Sequence, residues 1–310
     1  MGIAEGVPDM TEQSSNSCSI EELPLHEQCT TRYPLLLVHG VASKNAEKYH
    51  HWGRIPRTLR EHGAEVYVSS QDAWGSHTSN AWQLHHELSQ IVEDHQIDKV
   101  NIIAHSKGGI DTRVLATLPG MSERIASITT LSSPHYGVRA LDVFELAPKL
   151  LQKVVSTPID IAMILKGDEN PSFVMTCGEL GTLAMRQFNE LYPLPQEIYF
   201  QSFSVVQKSI FTDLFFAASL PVIHLTEGEN DGLVPEMSTR FGSYQGRIGA
   251  TGRWGLSHRD IVDQSLADML PDSPSLPWSE YLSRQHRNRD SFDVLAWWVE
   301  LVADLKRRGF

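Results

Sequence analysis

"KVNIIAHSKGG", residues 99–109, decides the fold. Val100, Ile102, Ile103 and Ala104 form an apolar run broken only by Asn101, the pattern of a strand buried on both faces. The run ends at His105, Ser106, Lys107 and a pair of glycines, and a helix-forming stretch continues to Leu118. A buried strand does not ordinarily end by presenting a serine between a histidine and a lysine. A strand, a tight turn with serine at its apex and then a helix is a nucleophile elbow, which needs small residues two before and two after the serine. Ala104 and Gly108 fill those places, Ala104 standing where glycine is usual and adding one methyl. The N-terminus of the following helix favours negative charge beside the serine. The alternative is an ordinary N-cap, a position serine also favours.

Working outward, "PLLLVHG" (34–40), "AEVYVSS" (64–70) and "IASITTLSS" (125–133) read as further strands. Helix patterns over 54–62, 80–95 and 107–118 separate them, which implies βαβ units and a parallel sheet with its ligand site at the carboxyl ends of the strands. Strand signals return at "EIYFQSFSVV" (197–206) and "PVIHLTE" (221–227). Between them and residue 135 the chain is apolar and helix-like, with Pro148 and Pro158 expected to break it into pieces. This is a helical insertion over the sheet, at about 138–196. Phe292, Leu295, Trp298, Val299, Val302 and Leu305 give the final segment one buried helical face. Residues 1–32 are poor in periodic apolar positions and read as a mobile or loosely docked tail before a single domain, 33–310.

The 310 residues are 41% apolar, enough for a real core, and carry a net charge of −12, which leaves no basic footprint for nucleic acid. No run approaches the ~20 apolar residues of a transmembrane helix. "MGIAEGVPDMTEQSSNS" has neither a basic nor an apolar region of the secretory kind, so as written it fits a cytoplasmic chain or one relieved of its signal. Cys18, Cys29 and Cys177 are scattered and read as free thiols.

An unassisted serine is a poor nucleophile and needs a base, and the base an orienting acid. With an elbow of this type the chain order is serine, acid, histidine. "GENDGLVP" (228–235) offers Asp231 and "GLSHRDIVDQ" (255–264) offers His258, while Asp142, Glu229 and His224 fit the order or the loop positions less well. Asp231 alone reads equally as a turn residue, and His258 is one of 14 histidines; the pair in the required order carries the argument. The oxyanion needs two preorganised backbone N–H donors, expected at Lys107 and at Val41, where Gly40 permits close approach. His39 reads as structural. The adjacent histidines in "KYHHW" (48–52) and "LHHEL" (84–88) point in different directions and do not suggest zinc.

Together these residues resemble the bacterial triacylglycerol lipases of the α/β-hydrolase fold, the family I true lipases. The likeness runs from Tyr33 to about Asp268: "YPLLLVHGV" for the oxyanion strand, "KVNIIAHSKGG" for the elbow, "SSPHYG" and "QFNELYP", then "NDGLVP" and "SHRDIVDQ" for the acid and base. The resemblance implies an acyl-serine mechanism on carboxylic esters of lipids, with Ser106, Asp231 and His258 as the triad. It also implies a mobile helical lid that opens at a lipid–water interface. It implies a structural calcium as well, for which Asp260 and Gln264 stand in family positions and Asp213 slightly off position. The family disulfide is not expected, because Cys177 has no later partner. An esterase on short or polymeric esters, and a catalytically silent binding module, are the rival readings.

Overall fold

The computed structural model describes residues 25–41, 51–165, 168–169, 171–249, 254–264 and 292–310. Residues 1–24 of the expected tail with Cys18, His50 and Asp268, and the side chains of Val155, Ile159 and Met163, lie outside them.

Six parallel strands form one sheet in the order β2-β1-β3-β4-β5-β6. They are β1 (Leu35–Val38), β2 (Val66–Val68), β3 (Val100–His105), β4 (Ile125–Leu131), β5 (Tyr199–Ser204) and β6 (Ser243–Arg247). Side chains alternate across a strand, so the all-apolar β1 feeds both faces of the sheet. Leu35 and Leu37 join Ile103 and Leu131 beneath α1 (Ile55–Glu61) and α10 (Val294–Arg307). Leu36 and Val38 join Ile102, Ala104 and Ile128 beneath α2 (His77–His95) and α3 (Lys107–Thr117). This is the helix–sheet–helix layering expected of a parallel sheet.

The helices begin where the sequence supplies caps. Ser76 Oγ accepts the Ser79 N–H at the start of α2, and Asp293 accepts those of Leu295 and Ala296 at the start of α10. Among the described residues, the regular elements between β4 and β5 are all helices: α4 (Arg139–Glu145), α5 (Lys149–Leu165), α6 (Phe173–Glu179) and α7 (Thr182–Leu191). Gln152 ties α5 to α4 by donating to the carbonyls of Phe144, Glu145 and Ala147.

Three expectations are corrected, and one strand is added that the sequence reading did not contain. Pro158 does not interrupt α5, which runs on through it; proline forfeits one helical hydrogen bond, and the helix persists. "PVIHLTE" is not a strand but most of α8 (Ser219–Glu227), which the short α9 (Glu236–Thr239) follows. Its β-branched residues suggest a strand. However, Pro221 lies in the first helical turn, where an N–H has no partner to lose, and Gly228 closes the helix at φ 87°. Strand β6, "SYQGR", carries no apolar alternation because it is a partly exposed edge. Finally, the tail does not extend to residue 32. Cys29 is fully buried in the α1–α10 layer, its N–H bonds the His62 carbonyl, and the Arg32 N–H bonds that of Phe310.

Candidate active site

Ser106 sits between β3 and α3 with φ 56° and ψ −132°, a strained conformation for a residue with a side chain. Two close approaches hold it there. A Cβ on Gly40 would lie 2.7 Å from Ser106 Cβ, so the loop after β1 passes against the serine. A Cβ on Gly108 would lie 2.4 Å from the His39 carbonyl oxygen, so α3 seats directly on the β1 backbone. Although Ser106 occupies the N-cap position, its side chain makes no capping hydrogen bond, which removes the ordinary N-cap account of this serine.

Asp231 and His258 meet: His258 Nδ1 donates to Asp231 Oδ2 at 2.6 Å, with both residues buried. The other carboxylate oxygen accepts the N–H groups of Leu233 and Val234 at 3.0 and 2.7 Å, and the His258 N–H bonds the Asp231 carbonyl at 2.8 Å. The carboxylate is therefore aimed by its own turn before it aims the imidazole. Nδ1 carries its proton toward the carboxylate, which leaves Nε2 as the free base; that atom is buried with no partner among the described residues. His105 links this pair to the elbow. Its Nε2 donates to the His258 carbonyl at 3.0 Å and its ring lies 4.5 Å from the His258 ring. This support is detectable in the sequence only as the residue before Ser106.

The weaker acid and base candidates are engaged elsewhere. Glu229 pairs with Arg247, Asp142 takes the Thr182 N–H and hydroxyl, and His224 lies on α8. Val41 follows Gly40 at the carboxyl end of β1, and Lys107 opens α3. The Lys107 side chain is buried and bonds both oxygens of Asp111, which also accepts from His77 and Asn80. Burial alone would raise the Asp111 pKa; Lys107 and His77 outweigh it and hold the carboxyl below its ordinary value.

The expected calcium ligands do not fit a metal. Asp213 accepts from Arg259 Nε and Nη2, from Ser257 Oγ and from the Phe215 N–H, at 2.8, 2.8, 3.1 and 3.0 Å. A carboxylate offers about four lone-pair sites, and here all are occupied. Asp260 is used locally, accepting the Ser257 N–H at 2.7 Å while its own N–H bonds Ser257 Oγ, a capping box for the turn after His258. Gln264 lies beyond that turn, at the end of the same described stretch. Among the described residues no three His, Cys, Asp or Glu side chains converge as a metal site. Of the adjacent histidines that are described, His51 packs between the rings of His39 and His105, and His85 and His86 lie on the outer part of α2.

The rings of His39, His51 and His105 run in a buried series to His258, and His135 is buried apart from them against Phe241. Burial holds His39 down to about 4, and burial first of all holds His51, His105 and His135 well below the ordinary 6.5. Below 6.5 the unfolded chain takes up protons that these rings refuse in the native state, so stability is lost as pH falls toward 4. His39 alone should account for about 2 kcal/mol at about pH 5. The urea midpoint is expected to be clearly lower at about pH 5 than at about pH 7; an unchanged midpoint would refute the neutral-ring account.

Three kinds of comparison relate the chain and its fold to known proteins. Residues 34–167 match the palmitoyl protein thioesterase family. The chain is 26% identical over 273 residues to triacylglycerol lipase 2 of Saccharomyces cerevisiae, an alignment covering 86% of this chain and 76% of that protein. It is 36% identical over 117 residues to a triacylglycerol lipase of Pseudarthrobacter phenanthrenivorans, so it spans only 36% of that relative's length and 36% of its own. Among solved structures, a metagenomic carboxyl esterase superposes with a TM-score of 0.68 at 15% identity, covering 90% of this chain and 77% of that one. The mature lipase of Bacillus licheniformis gives 0.55 at 22% identity, covering 74% and 86%.

Proposed function

We propose, taking as premise an α/β-hydrolase fold and a chain similar to lipases and esterases, that this protein hydrolyses carboxylic esters of lipids through an acyl-serine intermediate. The observation that carries the reading is the buried 2.6 Å contact between Asp231 and His258, which His105 ties to the turn holding the strained Ser106. Ser106 Oγ attacks the ester carbonyl while His258 Nε2 takes its proton. The oxyanion is met by the backbone N–H groups of Val41 and Lys107. The alcohol leaves with the proton from His258, and water repeats the sequence to release the acid. Asp231 keeps the imidazole in the tautomer that accepts at Nε2. Turnover of p-nitrophenyl esters of increasing acyl length tests the substrate class; no hydrolysis at any length would leave a binding module. The thioesterase match over 34–167 favours a second substrate for the same chemistry, an acyl thioester, which belongs in the same panel.

The insertion acts in this reading as a lid. On α5, Leu150, Val154 and Leu165 are 76%, 64% and 81% exposed, with Leu151, Ile161 and Ile164 beside them. Apolar surface of this kind gains ~25 cal/mol per Å² when an ester droplet replaces water over it. Activity on a partly soluble ester is therefore expected to rise sharply where droplets form. Leu150→Ser with Val154→Ser should abolish that rise and spare a short soluble ester. A smooth saturation curve through the solubility limit would favour an esterase whose pocket is already open in water.

A further inference from the structure

Arg259 follows the candidate base directly, and its guanidinium is bound by Asp213, one of the carboxylates the family resemblance offers to calcium. It is 6% exposed, grips both oxygens of the buried Asp213 across 46 positions of sequence, and stacks 5.0 Å over the Phe215 ring. The Phe216 ring, on the turn that Asp213 caps, stands edge-on to His258 at 6.2 Å. Ser257, on the other side of His258, donates its hydroxyl to the same carboxylate. Both neighbours of the base are thus anchored to one acidic side chain on the loop after β5.

We propose that Arg259 is a positioning residue and a built-in cation. It holds the His258 turn against the Asp213 turn and so fixes the imidazole, and this chain takes up no calcium between them. A guanidinium suits the place because its planar fork satisfies a carboxylate bidentately and never loses its charge. A calcium ion would need oxygen ligands at about 2.3–2.6 Å, and the Asp213 oxygens already hold donors on every side.

The proposal rests on the ester-hydrolase reading with His258 as base, and the test separates the two. Calorimetric titration of the wild-type protein with calcium should give no binding heat, and EDTA should leave both Tm and ester turnover unchanged. Binding heat, or a Tm lowered by EDTA and restored by calcium, would overturn the proposal whatever the substrate is. Arg259→Ala should lower kcat by roughly 10²-fold, the usual cost of displacing a catalytic group by about an ångström, with KM little changed. Millimolar ethylguanidinium should restore part of that kcat. If Arg259→Ala does not fold, Arg259→Lys, which keeps the charge without the fork, should fold, keep its KM and lose kcat. Wild-type kcat in the folded variant, alanine or lysine, would show that the grip on Asp213 does not position the base. Failure of the wild-type protein to cleave any ester or react with a fluorophosphonate would sink the functional reading and leave the calcium result standing.

Discussion

Ser106→Ala is expected to lower ester turnover by about 10⁶-fold, as loss of a triad nucleophile does, while leaving Tm almost unmoved. The two halves of that expectation come from different observations. Activity falls because no other hydroxyl occupies the elbow. Stability holds because Ser106 Oγ caps nothing, so its removal leaves no helix N–H newly unpaired. Alanine inherits the positive φ and with it the same strain. A fluorophosphonate should label the wild-type protein once and the variant not at all. Labelling that survived the substitution would place the nucleophile elsewhere. A large fall in Tm with modest loss of turnover would return Ser106 to a structural role.

Asp231→Asn comes next in size, at roughly 10⁴-fold in kcat. Asparagine fills the same volume and its carbonyl oxygen still accepts the turn N–H groups, so the turn survives. Its amide, however, presents N–H to His258 Nδ1, where the carboxylate accepted. Nδ1 must then be the acceptor, the proton moves to Nε2, and the ring has no lone pair left for the serine proton. Near-normal kcat in this variant would exclude Asp231 as the orienting acid. Glu229, held by Arg247, is poorly placed to replace it.

The parts of this molecule legible in its sequence are those fixed by neighbours in sequence. The double-faced strands from Leu35 to Val38 and from Val100 to His105, the small residues around Ser106 and the capped helices all express local rules. Ser106, Asp231 and His258 stand out as candidates because each lies in a short turn motif, and the structure brings Asp231 and His258 together. The misreadings have a common origin. Helix α8 and edge strand β6 are half-exposed, so apolar patterning does not report their geometry. Cys29 is buried by α10, more than 260 residues away, and no local pattern announces that. The partner of Asp213 was invisible for the same reason: a carboxylate near a family position looks identical in sequence whether a metal or a guanidinium faces it.

The chain order of the site has a consequence in time. Strand β3, helix α3 and strand β4 form one sequence-local parallel unit, residues 100–131, and short loops close at the least entropic cost. Nearly everything that shapes the serine turn, including the loop after β1, has been synthesised by its end. The base follows about 150 residues after the serine, which at cellular translation rates of 5–20 residues per second is roughly 8–30 s. Through that interval the growing polypeptide carries Ser106 without the imidazole proposed to activate it. Under the proposed mechanism, acyl chemistry therefore cannot begin before residue 258 has been made.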